Sequence, residues 1–219
     1  MLKNRLKEIK NELSQNITLV AVSKTKPIEA ISETYDAGQR DFGENKVQEL
    51  VDKHEKLPKD INWHMIGHLQ TNKIKYIAPF IHLIHGVDSV KLLTEIDKIG
   101  KKINRRIPCL LQFHIAQEET KFGFDWDEIL ALLKSESYQN LSSIDIKGVM
   151  GMASFTENKD QIRKEFSALK TIFDNLKQHY FMNHEAFKII SMGMSNDYKI
   201  AIEEGSNMVR IGSSIFGSR

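Results

Sequence analysis

Short apolar runs alternate with stretches of helical spacing from one end of this 219-residue chain to the other, and that alternation admits few folds. The apolar runs fall at 17–23, 40–42, 62–66, 81–87, 107–114, 145–150, 187–191 and 208–211. Helical patterns separate them. One covers 2–14, and a second opens at Pro27 and stops at Gly38. Asn45 and Gln48 read as a capping box for a third, with Val47, Leu50 and Val51 on one face. Thr71 caps a short helix through Ile77, and Asp88 or Ser89 starts one bearing Val90, Leu93, Ile96 and Ile99. Asp125 with Glu128 forms another capping box. The longest helix, about 159–180, carries the stripe Ile162, Phe166, Leu169, Phe173, Leu176 and Tyr180. Ser195 caps a last helix that ends before Gly205.

Strands alternating with helices imply βαβ units in a parallel sheet. Eight of them predict a single closed TIM-type (β/α)8 barrel over residues 1–219, with an open doubly wound sheet as the structural alternative. No helical pattern follows the eighth run. The N-terminal segment 1–14 is therefore expected to pack on the barrel and complete the outer ring.

Charge narrows the partners. Lys plus Arg number 31 against 29 Asp plus Glu, a net of +2, which is no footprint for nucleic acid or an anionic membrane. No run reaches the roughly 18 apolar residues of a membrane span, and the charged N-terminus is no secretory signal. A cytoplasmic protein is expected. The one cysteine, Cys109, leaves no intrachain disulfide and reads as core. No metal centre is expected from the histidines. His64 and His68 flank a turn at Gly67, and His82 and His85, three apart in a strand, should face opposite ways.

In a barrel of this kind, function gathers at the C-terminal strand ends. The first run, Leu19-Val20-Ala21-Val22-Ser23, stops at Lys24-Thr25-Lys26-Pro27. Alternation puts Val20, Val22 and Lys24 on one face, so Lys24 enters the barrel mouth above an apolar interior. An amine in such a setting can form a Schiff base with an aldehyde. After the seventh and eighth runs, Ser195 and Gly212-Ser213 offer hydroxyls and backbone N–H groups to an anion, a phosphate above all. A Schiff-base lysine opposite a phosphate site fits pyridoxal 5′-phosphate, or an aldolase acting on a phosphorylated sugar. Arg210, aimed at the same mouth, would oppose protonation of a pyridine nitrogen beside it. That weakens such a cofactor as an electron sink.

Ala21-Val22-Ser23-Lys24-Thr25-Lys26-Pro27, Phe42-Gly43-Glu44-Asn45, Trp63-His64-Met65-Ile66-Gly67-His68-Leu69-Gln70, Gly193-Met194-Ser195 and Val209-Arg210-Ile211-Gly212 together resemble the pyridoxal-phosphate homeostasis protein family. The resemblance spans nearly the whole chain. It implies a barrel of PLP fold type III, related to the alanine racemase N-terminal domain. It implies pyridoxal 5′-phosphate (PLP) held on Lys24, phosphate contacts from Ser195, Gly212 and Ser213, and Arg210 at the pyridine nitrogen. Asn45 and Met194 match positions near the cofactor, and Met152 stands where the racemases carry a ring-contacting histidine.

The racemases take a second catalytic base from a C-terminal β-domain, and the chain stops eight residues after Ile211. Two-base racemisation needs a group on each face of the substrate. The expected role is therefore intracellular PLP and vitamin B6 homeostasis without robust catalysis, by a monomer that passes PLP to apoenzymes. A weak amino-acid racemase or Schiff-base lyase is the alternative.

Overall fold

The eight runs form eight short strands. They are β1 (Thr18–Val22), β2 (Asp41–Glu44), β3 (Asn62–Met65), β4 (Leu83–Val87), β5 (Ile107–Gln112), β6 (Ile144–Met150), β7 (Ile189–Ser191) and β8 (Met208–Ile211). In this computed structural model, which describes residues 1–117 and 122–217, they pair in sequence order and close into a barrel. Closure is the parallel pairing of β1 with β8, with Thr18 opposite Met208 and Ala21 opposite Ile211. The open-sheet alternative is thereby excluded.

Ten helices surround the described barrel: α1 (Leu2–Glu12), α2 (Ile28–Asp36), α3 (Val47–Lys56), α4 (Ile74–Ile77), α5 (Val90–Lys102), α6 (Trp126–Lys134), α7 (Glu136–Gln139), α8 (Lys159–His179), α9 (Tyr198–Glu203) and α10 (Ser213–Phe216). None is long and apolar enough to cross a membrane.

Strand alternation sorts the core into two bodies. Val20, Leu83, Leu110, Met150 and Met208 fill the barrel interior. The larger body lies between strands and helices and includes Trp63, Phe42, Ile31, Leu93, Phe166 and Leu169. Each large apolar side chain buried there contributes about 1.5–3 kcal/mol. α8 follows its expected stripe through Ile162, Phe166, Leu169 and Leu176, while Tyr180 lies past its end, about one-third exposed at 36 %. The Asp125–Glu128 capping box and the Ser89 cap both form.

Several local readings change. Asn45 makes no capping box, because α3 begins only at Val47 and Lys46 stands at its N-cap. Ser195 does not cap α9. That helix starts at Tyr198, and the Ser195 hydroxyl instead accepts from the Gly212 N–H at 3.3 Å. Thr71 opens a 3₁₀ turn without a side-chain cap. A short helix, α10, does follow β8, and α1 packs against both it and α2.

Candidate functional site

The turn after β1 is pinned from below by a buried ionic cluster. Lys53 on α3 donates to the Ser23 carbonyl at 2.8 Å, to Glu44 Oε1 at 2.8 Å and to Glu49 Oε1 at 2.7 Å. The Ser23 hydroxyl donates to the same Glu44 oxygen at 2.5 Å, and the Thr25 N–H donates to Glu49 at 2.6 Å. Burial holds the Glu44 carboxyl above the usual range, against the opposing pull of Lys53 and Ser23. Thr25 itself has φ of 63°, a left-handed conformation that a β-branched residue adopts only under constraint. Lys24 is thus presented by a turn whose two neighbours are both tied down.

Lys24 and Val22 line one cavity at the barrel mouth, of about 550 Å³. That lies within the usual range for small-molecule sites, about 300–1,000 Å³. The same cavity is lined by all eight residues singled out in the sequence: Lys24, Asn45, Met152, Met194, Ser195, Arg210, Gly212 and Ser213. Lys26 also borders it, but its ammonium donates to the Gly217 carbonyl at 3.1 Å, past the end of α10.

The seventh and eighth strand ends shape the opposite wall. Gly193 has φ of 95°, and a Cβ there would stand 2.6 Å from the Cβ of Ala201. Only glycine lets β7 turn this sharply into α9. The Met194 N–H beyond it donates to Asp197 Oδ1 at 2.5 Å, and the Ser195 hydroxyl bonds Gly212 across the two loops. Asn45 sits where it does because Gly67 lacks a side chain: a Cβ on Gly67 would lie 2.5 Å from the Asn45 carbonyl oxygen.

Arg210 forms the floor. It is 4 % exposed, and its guanidinium donates to Ser191 Oγ at 2.6 Å and to the Gly151 carbonyl at 3.1 Å. Burial pulls its pKa down to about 10, with the Asp197 charge opposing the fall, so it stays a cation at neutral pH. Among the described residues, the charged side chains lining the cavity are Lys24, Lys26 and Arg210 against Asp197. Apolar surface from Val22, Ile66, Met152 and Ile162 completes the lining. An amine, a buried guanidinium, loop hydroxyls and an apolar wall form a donor set suited to a small phosphorylated aldehyde with a flat ring.

The alanine racemase N-terminal domain family matches residues 1–219. The pyridoxal phosphate homeostasis protein of Aquifex aeolicus is 39% identical over 202 residues, covering 92% of this chain and 86% of the relative. That of Schizosaccharomyces pombe is 36% identical over 208 residues, covering 94% and 85%. The chain belongs to the pyridoxal phosphate homeostasis protein family. Among solved structures, PipY of Synechococcus elongatus with PLP bound superposes with a TM-score of 0.89 at 33% identity, over 99% of this chain and 100% of PipY. Alanine racemase of Clostridium difficile shares the fold, with a TM-score of 0.80 at 17% identity. This chain covers 60% of the racemase.

In this homeostasis-family barrel, the residues of the mouth are legible in the sequence and those that hold them are not. Glu44 and Lys53 were invisible as a pair because they lie on β2 and α3 and meet only under β1. A buried lysine on the apolar face of α3, one turn after Glu49, was the available signal. The histidines also depart from expectation. His82 precedes β4, so strand parity does not govern it, and both His82 and His85 meet His64, with ring centroids 5.2 and 5.1 Å away.

Proposed function

We propose that this chain is a PLP-binding barrel of vitamin B6 homeostasis that holds the cofactor on Lys24. The observation that carries this reading is that Lys24 and the buried guanidinium of Arg210 line one cavity. When bound, PLP supplies an aldehyde that condenses with a lysine amine. Lys24 presents that amine from its pinned turn. Ser195, Gly212 and Ser213 hold the phosphate, and Asn45, Met152 and Met194 border the ring. Arg210 would stand at the pyridine nitrogen. A fixed cation there would disfavour protonation of the ring nitrogen and so weaken the electron sink, a setting suited to storage rather than turnover. Residues 1–219 act as one cytoplasmic, monomeric domain that passes PLP to apoenzymes.

The test is the visible spectrum of the purified protein with added PLP, followed by borohydride reduction and peptide mass analysis. A yellow band that is lost in Lys24→Ala, with the reduced adduct on Lys24, is expected. A band that survives in the variant, or an adduct on Lys26, overturns the assignment.

A further inference from the structure

Beneath the mouth, four hydrogen bonds thread the barrel from one end to the other. Arg210 Nη1 donates to Ser191 Oγ at 2.6 Å. Ser191 Oγ lies 3.0 Å from His85 Nδ1, His85 Nε2 lies 2.9 Å from His64 Nδ1, and His64 Nε2 lies 3.1 Å from Asp41 Oδ1. Ser191, His85 and His64 are fully buried. Asp41 is the first residue of β2, so it stands at the end of the barrel opposite the cavity. The five residues come from β8, β7, β4, β3 and β2.

The two ends fix every proton between them. A guanidinium can only donate and a carboxylate can only accept. A neutral His64 must therefore carry its proton on Nε2 to reach Asp41, which leaves Nδ1 to accept from His85. His85 then carries its proton on Nε2 and accepts at Nδ1 from the Ser191 hydroxyl, whose oxygen is left to accept from Arg210. Every donor meets an acceptor, and all four bonds run the same way. Hydrogen bonds aligned in series polarise one another in a low-dielectric interior. Burial drives His85 well below the ordinary histidine range, with His64, Arg210 and His82 adding to the fall, so it stays neutral. Burial pulls Asp41 up, but the hydrogen bonds it accepts from His64 and Asn62 help to outweigh it and leave the carboxyl lowered and ionised.

We propose that Asp41, His64, His85 and Ser191 are positioning residues that orient the Arg210 guanidinium toward the cavity and stabilise its charge through this single-direction relay. Arg210 has no hydrogen-bonded carboxylate among its described partners, only a hydroxyl and a carbonyl. The Asp197 carboxylate acts on its charge through space, and Asp41 anchors the far end of the hydrogen-bond chain. Asp41, His64 and His82 also bring possible metal-ligating atoms within 4.8 Å of one another. Asp41 Oδ1 is already taken by both His64 and the Asn62 amide, however, which binds these atoms into the relay.

The relay is tested in the ligand-free protein, so its outcome is separate from that of the PLP assignment on which its functional value rests. Nitrogen-15 NMR of the imidazoles at pH 8 is expected to show both His64 and His85 protonated on Nε2. Asp41→Ala is expected to give mixed tautomers at His64 and also at His85, which Asp41 does not touch. Asp41→Asn, whose side-chain oxygen still accepts, is expected to restore them. Ser191→Ala is expected to weaken PLP binding about tenfold, the scale of one hydrogen bond to a charged group, with recovery in Ser191→Thr. An Nδ1–H tautomer at either histidine overturns the relay. So does a His85 signal indifferent to Asp41→Ala, or displacement of the His64 Nε2 proton by added Zn²⁺.

Discussion

The ammonium of Lys53 lies 2.8 Å from the carbonyl oxygen of Ser23, the residue immediately before Lys24. It also neutralises Glu44, a fully buried carboxylate whose second oxygen has no hydrogen-bond partner among the described residues. One side chain on α3 thus compensates a charge under the barrel mouth and fixes the backbone that presents Lys24.

Lys53→Met should separate those two roles. Removing one partner of a buried pair leaves the other charge uncompensated, at a cost of about 3–5 kcal/mol. The Glu44 carboxyl is already held above its usual range by burial, and loss of Lys53 raises it further. A raised folded-state pKa means stability that is fully present below the unfolded value and lost as pH rises through the folded one. The destabilisation should therefore be largest near pH 7 and shrink as the solution is acidified toward pH 5. Urea unfolding at the two pH values measures it. The yield of reducible Lys24 adduct at saturating PLP should fall as well, because the Ser23–Thr25 turn loses its anchor.

Asp97 carries an acid-sensitive stability term of the opposite sign, far from the mouth. Its Oδ1 accepts from the Ser142 and Ser143 N–H groups at 2.8 and 2.7 Å, and Lys101 pairs with its other oxygen. Burial raises its carboxyl, but Lys101 and the two N–H groups outweigh that and leave it lowered. Its contribution is present above the unfolded carboxyl value and lost as pH falls through the folded one. Asp97→Asn should destabilise by about 1–3 kcal/mol at pH 7. The gap between variant and parent should close below roughly pH 4, the range of an unperturbed Asp. Chemical unfolding across that range tests it, and PLP binding should be unaffected.

Anchors of this kind leave no local trace in the sequence. The barrel was legible because strand and helix periods repeat through the whole chain, and the direction of Lys24 was legible because Val20 and Val22 beneath it follow the same alternation. Cap residues were legible where a helix end is solvated, as at Asp125, and illegible where a tertiary partner competes for the same atom. Ser195 illustrates the second case, since its hydroxyl is spent on Gly212 rather than on α9. Hydrogen bonds between strands that are not neighbours, such as His85 with Ser191, have no local signature. They depend on which residues a closed barrel turns inward at one height.

Gly193→Ala should damage both fold and site. Its φ of 95° disfavours any side chain, and the added Cβ would stand 2.6 Å from the Cβ of Ala201. Strain and overpacking together should cost about 2–4 kcal/mol. Since Gly193 sets the course of Met194 and Ser195, PLP affinity should fall more than the stability loss alone explains. Titrating PLP at a temperature where the variant is fully folded separates the two effects. Unchanged affinity there would detach the Ser195 loop from phosphate binding.

Arg210→Met asks whether the buried cation serves the ligand or the fold. The guanidinium is almost fully desolvated, which costs stability, and it returns two hydrogen bonds, to Ser191 and Gly151. Replacing it by an apolar side chain of similar length relieves the desolvation but forfeits those bonds and leaves the Ser191 oxygen and the Gly151 carbonyl without their donor. The ligand-free variant should therefore unfold about 1–3 kcal/mol more easily than the parent, the usual cost of stranding buried hydrogen-bond partners. PLP binding should weaken about tenfold or more, through loss of a charged contact worth roughly 1.5–3 kcal/mol. The yellow band should persist at saturation, because Lys24 is untouched, but its position should shift as the ring nitrogen loses its neighbouring cation. Unchanged affinity together with an unchanged band would place Arg210 outside the cofactor's contacts and reduce it to a structural residue.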